Sequence, residues 1–357
     1  MNRFDTIARK LAEYDLDAVL LTEEANRFYA SGFHSSGSDG AVLVTRKKAY
    51  YFTDSRYTEA AARCVQGAEL GEIGRGRGYT VLIGEVIAEE NIRRMGFDDA
   101  YMTVRDWEAY RKALQCELVP ATELLWQLRM VKDDAELEAM IAAQRIAERA
   151  LEEIKNEIRP GVTEKEIAAR LQYLMLHYGA SDMSFDPIVV SGPNGSLPHG
   201  VPGENRLQKG DFVTMDFGAN YNGYCSDMTR TVAIGSVTDE MKQVYDTVLQ
   251  AQLAACAFAK AGQKGCEVDK VARDIINAAG YEGCFGHGLG HSVGIEIHEN
   301  PRYSYAEESI VEAGTVMTIE PGIYLPGRFG VRIEDTVLVR EDGIEIPGRT
   351  SKELIIL

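Results

Sequence analysis

The stretch KGDFVTMDFGANYNGYCSDMTRTVAIG, residues 209–235, contains two runs rich in β-formers, 212–219 and 224–234. Asparagine and glycine between the runs are typical of a tight turn, so the segment is predicted to fold as a β-hairpin. The first run carries Asp216 and the second carries Asp227. The hairpin therefore brings two acidic side chains onto one sheet.

The two aspartates are predicted to face each other. With a turn centred between Tyr221 and Asn222, Asp227 lies opposite Asp216, and both side chains leave the same face of the ribbon. Like charges directly opposite each other are destabilising, and burial raises the cost unless a cation lies between them. The hairpin alone leaves an alternative open, in which the turn is centred one residue later and the two carboxylates are offset and solvated.

Three histidines, His287, His291 and His298, lie in the glycine-rich stretch GHGLGHSVGIEIHEN, residues 286–300. The glycines disfavour a helix, because each costs about 1 kcal/mol in a helix interior. The backbone is therefore predicted to be extended, with glycines that allow a ligand or another strand to approach closely. Taken alone, such histidines are more often ordinary core or surface residues.

Two further segments add acidic residues. TVMTIEPGIY, residues 315–324, predicts an apolar strand that ends at Glu320. GVRIEDTVLV, residues 330–339, predicts one strand whose alternation places Arg332 and Glu334 on the same face. Taken singly, each glutamate could be a surface residue or an ion-pair partner.

Together these segments supply four carboxylates and one imidazole, from Asp216, Asp227, His291, Glu320 and Glu334. Two divalent cations would balance the four carboxylates. Such a mostly oxygen set suits Mn²⁺, Co²⁺, Fe²⁺ or Zn²⁺ better than a thiolate-preferring metal. A pair of such ions lowers the pKa of a shared water and polarises a carbonyl, so the pattern predicts hydrolysis.

The same motifs resemble those of the methionine aminopeptidase and prolidase family of metallopeptidases. The second aspartate lies eleven positions after the first, and the histidine of HGLGH, the glutamate of EPG and the glutamate of RIED follow in the family's order. The resemblance implies that all five residues are metal ligands, that Asp227 and Glu334 bridge two ions, and that Glu320 also transfers a proton. The residues that it places beside the substrate, with catalytic or binding roles, are His199, His287, His298 and Arg332.

The resemblance covers residues from about 125 to 357 and implies an α/β (α+β) fold in two domains. Residues 1–125 resemble the small N-terminal domain of the creatinase and aminopeptidase P branch, and residues 126–357 resemble its pita-bread catalytic domain. Within the second domain, IRPGVTEKEIAARL at 158–171 aligns with AKAGQKGCEVDKVARD at 259–274. This alignment reflects either an internal duplication with a cleft at its pseudo-twofold axis or turn chemistry shared by two αα-hairpins.

The implied function is a dinuclear-metal aminopeptidase that removes the first residue of peptides, preferentially at Xaa-Pro bonds, by attack of a metal-bridged hydroxide. Its implied cofactors are two divalent ions, with Mn²⁺ expected ahead of Co²⁺, Zn²⁺ or Fe²⁺. The nearest alternative is a prolidase, which cleaves Xaa-Pro dipeptides. A metal-free creatinase-like enzyme and an inert peptide-binding module are further alternatives, which the presence of all five ligand residues disfavours.

The composition limits the classes of binding partner and the cellular compartment that we expect. The formal net charge of −17 argues against nucleic acid and anionic membranes as partners, because both repel an acidic surface. The six scattered cysteines are expected to be reduced thiols, and the opening residues lack the apolar run of a signal peptide or anchor. A cytoplasmic protein that acts on peptides is therefore expected, and the resemblance implies a homodimer.

Overall fold

The computed structural model describes residues 2–357, and the chain divides after Arg129 into two compact units. The boundary drawn from the sequence, between residues 125 and 126, lies inside the helix Thr122–Met130. No helix of the described residues combines the length and the apolar character that a membrane span needs. All six cysteines are free thiols.

The first unit is an α/β domain built on one six-stranded sheet. Its helices are α1 Arg3–Lys10, α2 Glu24–Ser31, α3 Thr58–Cys64, α4 Tyr79–Glu90, α5 Val104–Ala113 and α6 Thr122–Met130. Its strands are β1 Ala18–Leu21, β2 Gly40–Thr45, β3 Ala49–Thr53, β4 Glu69–Glu72, β5 Arg94–Phe97 and β6 Glu117–Pro120. They lie in the order β4-β3-β2-β1-β5-β6, and the strands β1, β2 and β3 are buried along their whole length.

The second unit packs four α-helices, one 3₁₀ helix and several antiparallel sheets. Its helices are α7 Asp134–Ile154, α8 Glu164–His177, the 3₁₀ helix η1 Gly192–Ser196, α9 Asp239–Phe258 and α10 Gly265–Ala278. Its first strands are β7 Asp182–Met183, β8 Ile188–Ser191, β9 Phe212–Phe217, β10 Ala219–Tyr221, β11 Tyr224–Cys225 and β12 Met228–Ala233. The later ones are β13 Gly290–Ser292, β14 Glu299–Tyr303, β15 Val316–Ile319, β16 Gly322–Leu325, β17 Phe329–Arg332, β18 Asp335–Arg340 and β19 Gly343–Glu345.

The second unit is made of two similar halves. In the first half, α7 and α8 pack together and are followed by the sheet β12-β9-β8; in the second, α9 and α10 are followed by β14-β13-β15-β18-β19. Each second helix begins alike: Glu166 accepts the backbone N–H of Thr163, and Glu267 accepts that of Lys264. The structure therefore favours internal duplication over shared turn chemistry.

The hairpin at 209–235 forms, but its predicted register is wrong. Tyr221 pairs with Tyr224, so the turn is centred between Asn222 and Gly223, one residue later than expected. These two residues have φ of +51° and +82°, the backbone region that an Asn-Gly turn favours. Asp216 consequently pairs with Thr229, two positions beyond Asp227.

Because side chains alternate with a period of two, this shift leaves both aspartates on the same face, in a diagonal arrangement. The offset that the alternative register foresaw is therefore present. The solvation that the alternative register predicted is absent, because Asp227 is only 4% exposed.

The segment 330–339 also differs from its prediction. It forms two strands rather than one, because β17 pairs with β16 whereas β18 pairs with β15 and β19, and the chain changes sheet at Ile333 and Glu334. The predicted alternation survives the break. Val331 and Ile333 are fully buried in the apolar core, and Arg332 and Glu334 point to the opposite side.

Candidate metal centre

A cavity of about 490 Å³ in the second unit gathers the residues predicted from the sequence. Its lining includes all nine of them: His199, Asp216, Asp227, His287, His291, His298, Glu320, Arg332 and Glu334. The first half of the unit contributes Asp216 from β9 and Asp227 from the residue before β12. The second half contributes the other three predicted ligands, from β13 and from the ends of β15 and β17.

Four carboxylates and one imidazole converge at the floor of this cavity. Carboxylate oxygens of Asp216, Asp227 and Glu334 all lie within 4.8 Å of one another. The Nε2 atom of His291 lies 3.3 Å from Oε1 of Glu320 and 3.6 Å from Oδ2 of Asp227. The structure thus brings the five predicted ligands to one point.

Three oxygens of this cluster are buried without any hydrogen-bond partner: Asp216 Oδ1, Asp227 Oδ1 and Glu334 Oε1. Burial and the charges of the neighbouring carboxylates raise the pKa of Asp227 and of Glu334 well above the usual range. Leaving such groups both charged and unpaired is costly. Divalent cations would satisfy the free oxygens and offset the repulsion, so this donor set fits a metal centre.

The orientation of His291 agrees with a ligand role. Its Nδ1 lies 3.2 Å from the carbonyl oxygen of Ser292 and therefore carries a hydrogen. Nε2 is the nitrogen that faces the carboxylates. It either donates an N–H to them or directs a lone pair at a cation that the carboxylates also bind. Metal-binding histidines usually donate their second N–H to a carbonyl in this way.

Glu320 differs from its acidic neighbours. Burial raises the pKa of Glu320, but the hydrogen bond from His291 and the charge of His291 outweigh it. The charges of His287 and Arg332 act in the same direction, and the pKa of Glu320 is lowered to about 2. Glu320 is therefore ionised at neutral pH. Within one cavity the protein thus holds carboxyl groups whose pKa values are shifted in opposite directions, which is typical of sites that move protons.

Arg332 is held by several acceptors at once. Its Nη2 donates to Oδ2 of Asp216 at 2.6 Å, and its Nη1 donates to the hydroxyl of Tyr324 at 2.8 Å. Its Nε donates to Oγ1 of Thr229 at 3.1 Å, and the side chain is 4% exposed. Arg332 therefore orients Asp216 from behind.

His287 is fixed in the same network. Its Nδ1 faces the carbonyl of Gly288 at 2.8 Å and carries the hydrogen, so its Nε2 accepts from the Tyr324 hydroxyl at 2.8 Å. Burial is the main cause that lowers the pKa of His287. Both ring nitrogens of this histidine are thus engaged within the protein.

His298 and His199 lie on the open side of the cavity. The ring of His298 packs edge to face on that of His291, with 4.3 Å between centroids. Partial burial, followed by the charges of His291 and Arg302, lowers the pKa of His298 to about 4. Among the described residues, neither His298 nor His199 has a hydrogen-bond partner for its ring, so both remain available to a bound molecule.

Two residues of the site were missed by the sequence interpretation. Tyr324 links His287 to Arg332, and nothing in the pattern of β16 distinguishes it from a core tyrosine. Arg302 lines the cavity from β14 and is exposed, between the buried residues Pro301 and Tyr303. Strand alternation counted from His298 places Arg302 on the same face as that histidine. The sequence therefore contained a signal that Arg302 faces the cavity.

Comparisons with known proteins identify metallopeptidases as the relatives of this chain. Residues 138–341 match the model of Metallopeptidase family M24, and residues 3–131 match that of the Creatinase/Prolidase N-terminal domain. The chain is 35% identical to the Xaa-Pro dipeptidase of Pyrococcus furiosus over 99% of both chains.

Two solved structures share the fold of this chain and have different names. The Xaa-Pro dipeptidase from Bacillus anthracis is 40% identical, with a TM-score of 0.95 and 99% of both chains covered. The X-Pro aminopeptidase from Thermotoga maritima is 36% identical, with a TM-score of 0.93 and 100% of both chains covered.

Proposed function

The chain belongs to metallopeptidase family M24, and we propose that it acts within this family as an Xaa-Pro dipeptidase, which cleaves dipeptides whose second residue is proline. The sequence interpretation placed the aminopeptidase first and the dipeptidase second. The relative from P. furiosus and the structure from B. anthracis are both named Xaa-Pro dipeptidase, so the dipeptidase is now preferred to the aminopeptidase. The first unit is the creatinase/prolidase N-terminal domain that accompanies the catalytic domain.

Arg302 is the observation that carries the choice of a dipeptide. A dipeptide has a carboxylate one residue beyond the scissile bond, whereas a longer peptide has an amide there. Arg302 pairs in register with His291 across β13 and β14, and its exposed guanidinium lines the cavity. Among the described residues it has no ion-pair partner, so it is free to bind a terminal carboxylate through two parallel hydrogen bonds.

The five clustered residues Asp216, Asp227, His291, Glu320 and Glu334 would hold two divalent cations, of which Mn²⁺ is the first candidate. Such cations polarise a carbonyl group and lower the pKa of water. Glu320 would accept a proton from the attacking water and return it to the proline nitrogen as the bond breaks. Its position beside His291 supports this role.

The histidines take different parts in this proposal. His298 is neutral at pH 7, because its pKa is about 4, and an N–H of its free ring would donate to the scissile carbonyl oxygen. His199 would border the proline ring, which has no N–H and requires no acceptor there. His287 and Arg332 have their polar atoms engaged, so we assign them the positioning of Tyr324 and Asp216 rather than a direct substrate contact.

The test compares an Xaa-Pro dipeptide with the matching Xaa-Pro-Yaa tripeptide, for the native enzyme and an Arg302→Gln variant. A hydrogen-bonded charge is worth about 1.5 to 3 kcal/mol, so kcat/KM for the dipeptide is expected to fall roughly 10- to 150-fold, mainly through KM. Arg302→Lys should retain part of the activity. Arg340→Gln, which changes an exposed arginine outside the cavity, is the matched control.

A second candidate is the Xaa-Pro aminopeptidase, which the name of the T. maritima structure favours. It requires that tripeptides are cleaved at least as fast as dipeptides and that Arg302→Gln leaves both rates unchanged. That result would overturn the dipeptidase proposal. The homodimer stays a prediction, which light scattering of the purified protein would test.

A further inference from the structure

Glu164, the first residue of α8, is a carboxylate that is 0% exposed and, among the described residues, has no ion-pair partner. Its oxygens instead accept hydrogen bonds from uncharged donors at 2.7 to 3.3 Å. The donors are Ser191 N and Oγ, Asn194 Nδ2, Gly203 N and Asn205 Nδ2. A buried carboxylate is tolerated only when it is hydrogen-bonded, and these donors satisfy both oxygens of Glu164.

All of these donors belong to one segment, residues 191–205, which also carries His199. The outer part of the segment is poorly packed: Leu197 is 54% exposed and Val201 is 83% exposed. Its own hydrogen bonds are short turns, from Leu197 N to Asn194 O and from Gly200 N to Leu197 O. Two bonds reach this outer part from outside the segment, from Arg332 Nη1 to Pro198 O at 3.3 Å and from Gly327 N to Ser196 Oγ at 3.2 Å. With so little buried apolar surface, its position also depends on what holds its two ends.

The N-terminal end is held by close packing. A Cβ atom at Gly330 of β17 would lie 2.0 Å from the carbonyl oxygen of Gly195, so η1 rests directly on that strand. The C-terminal end is held at the start of α8. There the N–H of Glu164 donates to Asn205 O, the N–H of Lys165 donates to Gly203 O, and the Glu164 carboxylate binds Gly203 and Asn205.

The second half of the unit uses the same arrangement without a carboxylate. Gly265, which occupies the position of Glu164 in the internal alignment, donates its N–H to Ser309 O. Its neighbour Cys266 donates to Glu307 O. A Cβ atom at Gly265 would lie 2.1 Å from the carbonyl oxygen of Arg302. In both halves, therefore, the start of the second helix holds the segment that borders the cavity.

We propose that Glu164 is a positioning residue, which fixes the segment 191–205 so that His199 stands on the cavity wall where the proline side of the substrate binds. The proposal rests on the dipeptidase function given above. Glu164 does not line the cavity, so it acts through His199 and not on the substrate. Removing its charge is therefore expected to impair catalysis only as long as His199 is present.

The test is a double-mutant cycle with Glu164→Gln and His199→Ala, read as kcat/KM for an Xaa-Pro dipeptide. The Gln amide directs an N–H₂ group at donors, which breaks part of the network. Because Glu164 acts through His199, kcat/KM is expected to fall by roughly tenfold, and by no more than the factor that His199→Ala alone causes. That fall is expected in the native background and is expected to shrink below about twofold beside His199→Ala. Equal effects in both backgrounds would overturn the proposal.

Glu166→Gln is the matched control, because Glu166 caps the same helix through Thr163 and has no bond to residues 191–205. Its effect on kcat/KM is expected to be small and the same with or without His199. If Glu164→Gln does not fold, Asn194→Ala, which removes one donor to the carboxylate, takes its place in the cycle.

Hydrogen exchange gives a second readout that does not depend on activity. In Glu164→Gln the amides of residues 192–203 are expected to exchange faster, while those of β15 and β16 are unchanged. Unchanged exchange in 192–203 would overturn the positioning role even if the enzyme were impaired. A native enzyme that cleaves no Xaa-Pro dipeptide would instead overturn the proposed function, and the exchange experiment would still decide the role of Glu164.

Discussion

Replacing Asp227 by asparagine is expected to stabilise the metal-free protein and, at the same time, to abolish its response to divalent cations. Asp227 is 4% exposed, and its carboxylate lies within 4.8 Å of those of Asp216 and Glu334. Without cations, burial and this repulsion raise the pKa of Asp227 well above its usual range. The amide has nearly the same shape and carries no charge.

The size of the effect follows from that separation. Two like charges 4.8 Å apart, at an effective dielectric constant of about 20, repel each other by roughly 3.5 kcal/mol. A carboxyl group whose pKa is raised on folding costs nothing below its unfolded pKa, and its cost grows as pH rises toward the folded pKa. We therefore expect Asp227→Asn to stabilise the metal-free protein by about 2 to 4 kcal/mol at pH 8 and by much less at pH 5. For a domain of this size that is a rise in Tm of about 4 to 16 °C at pH 8.

Calorimetry after exhaustive chelation measures this difference at both pH values, with and without added Mn²⁺. Mn²⁺ is expected to raise the Tm of the native protein and to leave that of Asp227→Asn nearly unchanged. Asp186→Asn, which alters an exposed carboxylate on the same cavity wall, should melt within about 2 °C of the native protein. The reasoning is refuted if metal-free Asp227→Asn melts below the metal-free native protein at pH 8.

Two further predictions concern the ions and the backbone of the site. Chelation is expected to reduce Xaa-Pro hydrolysis to the background rate and Mn²⁺ to restore it, and a rate that survives complete metal removal, verified by elemental analysis, would contradict the metal centre. Gly290→Ala is expected to destabilise the protein by about 1 to 3 kcal/mol in urea unfolding, because its Cβ would lie 2.0 Å from the carbonyl oxygen of Thr318. Gly286→Ala, whose Cβ meets nothing within 4 Å, should unfold at nearly the native midpoint, and equal costs for both variants would count against the close approach.

The sequence predicted best what depends on local chemistry. The hairpin at 209–235, the extended backbone around His291 and the strand that ends at Glu320 are all present. These features rest on side chains that bond or pack within a few residues of themselves. The convergence of the five candidate ligands was also anticipated, but through the resemblance to a family, because no local pattern brings residues 216 and 334 together.

Features that depend on tertiary pairing could not be predicted. The hairpin register is an exception, because the Asn222–Gly223 turn that sets it is a local signal that the sequence contains. The break at Glu334, in contrast, was decided by two sheets that pair with successive parts of one apolar run. Tyr324 looks like an ordinary core residue until Arg332 and His287 are seen against its hydroxyl. The glycines of 286–300 show the same limit, since Gly290 and Gly294 are closely approached by other atoms and Gly286 is not.

The duplicated architecture couples the metal centre to the folding of the whole second unit. Asp216 and Asp227 belong to the first half, and His291, Glu320 and Glu334 belong to the second, so neither half holds the complete set of candidate ligands. Until the two halves pack together, the carboxylates are apart and solvated, and they neither repel one another nor bind two ions tightly. Docking of the halves creates the repulsion, and cation binding then relieves it. Much of the binding free energy of the ions is therefore expected to appear as stability of the packed halves.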